Sequence, residues 1–285
     1  MNDTLSTTRL LMLIKKHWDE NKRLHWLGLL AAMGVLFAFY LFLIITSSYR
    51  ALDADGQAMC FFVSLAIVFV IYSLSFFNVL NKKDKATAYL LIPASQLEKL
   101  LCGVFYCTIL LGILWLGVFY LVNTSMIGLL NKLAVNDMEK YKSMFVDKKF
   151  IPKETANLFA FKGSFVFAMS ICCSLQAGAL IGSFYFERYT LVKTIATTIG
   201  VWLLFVVIQS VILQGAMPTK FYLFEMGVYK TSNWSMDAEG RDVYQPSKYI
   251  FLSSTLTSIS RFLLYYSIWP LLTLATYFRL KEKEI

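Results

Sequence analysis

Residues 81–99 read NKKDKATAYLLIPASQLEK and lie between two long apolar runs. Lys82, Lys83, Lys85 and Lys99, with Asp84 and Glu98, flank a short amphipathic segment broken at Pro93. A connector this charged stays in water while its neighbours cross lipid, because each charge left in hydrocarbon costs about 3 kcal/mol or more. The stretch is a polar island, and the rest of the chain is organised around it.

The chain has 285 residues, of which 58% are apolar and 16% charged. Several uncharged runs exceed the roughly 20 residues that a helix needs to cross a bilayer, so the composition is that of an all-α polytopic membrane protein. A net charge of +9 can mark a nucleic-acid binder. Here the basic residues sit in loops beside apolar spans, where the positive-inside rule accounts for them and no nucleic-acid partner is expected. Cys60, Cys102, Cys107, Cys172 and Cys173 all fall in apolar runs without a CxxC pair. They read as buried small hydrophobes rather than as a disulfide framework or a zinc site. A cleaved signal peptide is not expected, since a polar segment precedes a first apolar run too long for one.

Residues 1–25 form the first region. Leu10, Leu11, Ile14 and Trp18 recur at spacings of three and four, with Lys15, Lys16, Lys22 and Arg23 on other faces. That pattern predicts an amphipathic helix lying along the inner leaflet, drawn to anionic lipid. Residues 26–285 form the membrane domain, with spans expected at about 26–46, 57–80, 100–122, 163–186, 194–217 and 256–278. A bend is expected at Asn123, Thr124 and Ser125. The loops at 131–157 and 218–255 are long and polar, whereas only Glu187–Lys193 separates the fourth and fifth spans, which makes them antiparallel neighbours. The excess of Lys and Arg falls on the side of the termini, so both ends and the island at 81–99 are assigned to the cytoplasm.

With that topology in view, the island resembles the coupling loop of ATP-binding-cassette export permeases of the type-2, or type V, superfamily. The matching residues are Thr87, Leu90, Leu91, Pro93, Ser95, Leu97 and Glu98, followed by Leu100, Leu101 and Gly103. The basic N-terminal helix and the six-span order are also similar. The match departs at Lys85, Ala86 and Tyr89, where that family usually carries Glu, Gly and Glu, and its Thr-to-Pro spacing is longer. The resemblance implies a bacterial inner-membrane permease that works as a homodimer or beside a similar permease. It also implies a separate cytoplasmic cassette ATPase. A cap over the outer mouth at Tyr249–Ser260 is implied as well.

The coupling set expected on this basis is Asp84, Lys85, Thr87, Tyr89, Leu90, Leu91, Pro93, Ser95, Leu97, Glu98 and Lys99. Leucines supply apolar contact, Pro93 stiffens the turn, and Asp84, Lys85, Glu98 and Lys99 set register with the partner. An ordinary solvated loop explains the same residues from composition alone.

The chain has no GxxxxGK[ST] loop, so it is not expected to hydrolyse ATP or to be an enzyme. ATP and magnesium would belong to the partner, and no cofactor or metal is expected on this chain. HExxH is also absent, and the two histidines, His17 and His25, read as interfacial helix residues. None of the predicted spans holds an Asp or Glu to carry a coupling ion, which counts against secondary transport. Gln176, Gln209, Gln214 and Arg261 are the candidates for a translocation path or gate. Ser174, Gly178 and Gly182 form a small-residue stripe suited to close helix packing. The function expected is export of an amphipathic or hydrophobic substrate. The alternative is a membrane scaffold that recruits a cytoplasmic partner through 81–99 without transport.

Overall fold

The computed structural model describes residues 5–46, 52–77, 91–137, 145–146, 149–160, 162–186, 190–216, 221–225, 228–231, 234–236, 242–244, 249–251, 255 and 262–282. Helices dominate. They are α1 (Thr7–Thr46), α2 (Ala54–Phe76), α3 (Gln96–Asn136), α4 (Lys162–Tyr185), α5 (Thr190–Ala216) and α6 (Ile268–Glu282). Among the described residues, α1, α2, α3 and α4 are each long and apolar enough to cross a membrane. The chain is therefore an integral membrane protein built from helices.

Two expected breaks do not occur. The amphipathic helix of residues 1–25 and the span at 26–46 are one uninterrupted 40-residue helix. No Pro interrupts the junction, and Asn21 returns its side-chain amide to the His17 carbonyl within the helix. The bend at Asn123, Thr124 and Ser125 is also absent. Ser125 donates to the carbonyl of Leu121 one turn back, Asn123 is buried in a hydrogen-bond network and Thr124 is exposed, so none of them needs to break α3. Instead α3 carries a π-helical segment at Phe105–Leu110.

α4 is central: it packs on α2, α5 and α6. Its small-residue stripe explains the tight contact with α5. A Cβ at Gly178 would collide with Thr198, and one at Gly182 with Thr194. The stripe is thus used within the chain. α1 leans on both halves of α3. Two apolar cores result. One gathers Tyr40, Phe61, Phe69, Trp115, Phe119 and Met126. The other, towards the start of α1, gathers Leu13, Phe76, Phe77, Tyr106, Leu180 and Leu280.

Short strands occupy the polar segments. β1 (Phe145–Val146) pairs antiparallel with β2 (Lys149–Phe150). β3 (Phe221–Glu225), β4 (Val228–Thr231) and β7 (Tyr249–Phe251) form one antiparallel sheet in the order β3-β4-β7, while β5 (Trp234–Met236) pairs with β6 (Asp242–Tyr244). These pieces are rich in aromatic and β-branched residues, which suit a pleated surface. Tyr249–Phe251, expected to begin a helical cap, is a strand. A second π-helical segment, Phe262–Ser267, leads into α6, two residues ahead of Pro270.

Candidate functional site

The end of the bundle where α1 begins holds the described part of the island. Residues 91–94 form a turn, and α3 starts at Gln96 behind Ser95 as its N-cap. Ser95 Oγ accepts from the Glu98 amide at 3.2 Å, and Glu98 Oε2 accepts from the Ser95 amide at 2.9 Å, a reciprocal capping box. The other carboxylate oxygen, Glu98 Oε1, reaches across to α1. It accepts from the Ser6 amide at 2.7 Å and from Arg9 Nη2 at 3.0 Å. One carboxylate therefore caps the first turns of two helices, where the exposed N–H groups favour negative charge.

Glu98 lies ahead of the apolar run that begins at Leu100. Burial acts to raise its pKa, but the amides of Ser6 and Ser95 and the Arg9 guanidinium outweigh it and hold the carboxyl below its ordinary value. A second tie joins the same helices, because the Tyr106 hydroxyl donates to the Ile14 carbonyl at 2.7 Å. Close below, the rings of Phe76 and Phe77 approach Gly103 so nearly that a Cβ there would sit 3.1 Å from each. The start of α1, the end of α2 and the first turns of α3 are thus fastened together.

The expected coupling residues divide sharply. Leu91, Pro93 and Leu97 are on the surface, with Leu91 77% and Leu97 39% exposed. Ser95, Glu98 and Lys99 are buried. A role for Glu98 and Lys99 in setting register with a partner is therefore corrected: both side chains turn inward, and Glu98 works inside the chain. Asp84, Lys85, Thr87, Tyr89 and Leu90 lie outside the described residues. Leu91 and Leu97 form an exposed apolar pair beside the capping box.

The path candidates are also corrected in part. Gln176 is fully buried between α4 and α6 and accepts from Trp269 Nε1 at 3.1 Å, so it bonds a neighbouring helix instead of lining an open path. The side chains of Gln209 and Gln214, and all of Arg261, lie outside the described residues.

At the opposite end a neutral network was missed by reading the sequence. Gln57 Oε1 accepts from Asn123 Nδ2 and from the Ala156 amide, both at 2.8 Å, and Gln57 Nε2 donates to the carbonyls of Leu52 and Glu154. Tyr40 donates to Asn123 Oδ1 at 2.8 Å. Asn131 clamps both backbone groups of Lys153, whose ammonium pairs with Asp53. Residues 153–156 are thereby pinned across the ends of α1, α2 and α3. The available signal was the lone amides in apolar runs, which in lipid must find partners.

Among the described residues no three His, Cys, Asp or Glu side chains converge as a metal set. No known family, curated protein or solved structure matches the chain.

Proposed function

We propose that this chain is the membrane-spanning permease subunit of an ATP-driven exporter, energised by a separate cytoplasmic cassette ATPase. The observation that carries the reading is the fastening of Glu98. A partner pressing on Leu91 and Leu97 pushes on a capped turn that continues directly into a membrane helix and is tied through Ser6 and Arg9 to a second one. A flexible linker would absorb such a push, whereas this junction transmits it to α1 and α3 together. In this reading the basic end faces the cytoplasm. α5 and α6 complete a six-span domain, two copies assemble around the substrate path, and the cargo is amphipathic or hydrophobic.

The test is to extract the tagged full-length chain in mild detergent, identify what copurifies and assay ATP hydrolysis. A stoichiometric cassette ATPase that is lost in Leu91→Asp supports the reading. A chain that purifies alone, without ATPase activity, rejects it.

A further inference from the structure

α1 packs on α3, and between α1 and α2 the bundle leaves a cleft of about 610 Å³, within the range of small-molecule pockets, with α3 as its floor. Among the described residues its lining carries no Asp, Glu, Lys or Arg. The walls include the exposed Val35, Ile67 and Ile71, and the floor includes the buried Trp115. From His25 to Phe39 the cleft runs along α1 for 14 residues, about 21 Å at the helical rise. Half the hydrocarbon core of a bilayer is about 15 Å, so the cleft has the length of one leaflet with its glycerol region.

The ends differ. At one end the lining is apolar: Phe39, Cys60 and Trp115. At the other stand Trp18, His25, Tyr72 and Tyr106, an aromatic cluster in which the Tyr72 hydroxyl meets His25 Nδ1 at 3.2 Å. Amphipathic rings of this kind belong at the headgroup level. Along α1, between Trp18 and His25, Lys22 is exposed one turn from Trp18 and on the same side of the helix, whereas Arg23 falls on the opposite face.

We infer that this cleft binds one acyl chain of an anionic phospholipid, drawn from the leaflet at the basic end, with the phosphate held near Lys22. The apolar walls take the chain, the aromatic cluster sets the depth of the glycerol, and Lys22 selects an anionic head. The inference does not depend on an ATPase partner.

Two glycines in α1 provide the test. Gly28 lines the cleft, and a Cβ added there meets open space; Gly34 is equally unobstructed but lies off the cleft. Leucine at either position replaces a glycine inside a helix and favours folding. The full-length chain, delipidated in detergent, is loaded from vesicles of phosphatidylglycerol or of phosphatidylcholine and read by native mass spectrometry. The native chain should retain one phosphatidylglycerol, several-fold in preference to phosphatidylcholine. Gly28→Leu should cut retention at least five-fold, as should Ala32→Leu on the same wall, while Gly34→Leu matches the native chain. Lys22→Gln should remove the headgroup preference, whereas Arg23→Gln on the opposite face should keep it. Native-level retention in both Gly28→Leu and Ala32→Leu overturns the site. Equal retention of the two lipids by the native chain overturns the anionic assignment. Unchanged retention with a dimer turned to monomer by Gly28→Leu would show that a second copy covers the cleft.

Discussion

At one end of the bundle a single carboxylate, Glu98, gathers Ser6, Arg9 and Ser95; at the other a single amide, Gln57, gathers Asn123, Ala156, Leu52 and Glu154. Both side chains are buried and both join elements far apart in sequence. The difference is charge. Glu98 binds a guanidinium that is 36% exposed, so its junction answers to salt, to pH and to anything that competes for Arg9. The bonds that Gln57 itself makes are all neutral, although the segment it holds, 153–156, is also tied by the Lys153–Asp53 ion pair.

The largest expected effect comes from breaking the clamp. Gln57→Leu strands the Asn123 amide, the Ala156 N–H and two carbonyls, and should destabilise the chain by about 3 kcal/mol, read as a drop in melting temperature in detergent. Glu98→Ala removes an N-cap partner and two cross-helix bonds but leaves Arg9 able to reach water, so about 2 kcal/mol is expected. The loss caused by Glu98→Ala should shrink as salt is raised, whereas that of Gln57→Leu should not. Tyr40→Phe deletes only one bond of the clamp, to Asn123 Oδ1, and should cost about 1 kcal/mol.

The smallest effect is the pH response. Because the folded state holds the Glu98 pKa below its ordinary value of 4.5, its contribution is complete above that pH and is lost as pH falls through the lower folded value. The native chain should therefore lose stability below about pH 4.5 relative to Glu98→Gln. A parallel acid response in the two proteins would remove the charge from the comparison.

The sequence carried the helices well because a long uncharged run has one outcome in lipid. It read the Ser174, Gly178 and Gly182 stripe as close packing, and Gly178 and Gly182 do meet Thr198 and Thr194 of α5. It misjudged the direction of side chains within the island. Glu98 read as a surface charge because Ser95-x-x-Glu98 is also a capping box, and the donors that draw the carboxylate inward, Ser6 and Arg9, lie some ninety residues earlier. Gln57 and Asn123 were illegible for the same reason: an amide in an apolar run announces that it needs partners but not which ones. The strands at 221–251 were passed over because their alternation is short and set among polar residues.

The most direct test compares three proteins extracted in the same mild detergent: native, Leu91→Asp and Gln57→Leu. The copurifying ATPase and its hydrolysis rate are measured for each. The account predicts an ATPase on the native chain, its loss in Leu91→Asp with membrane insertion intact, and its retention in Gln57→Leu despite the lower melting temperature. An ATPase that is absent from the native chain, or that remains equally bound to all three, would contradict it.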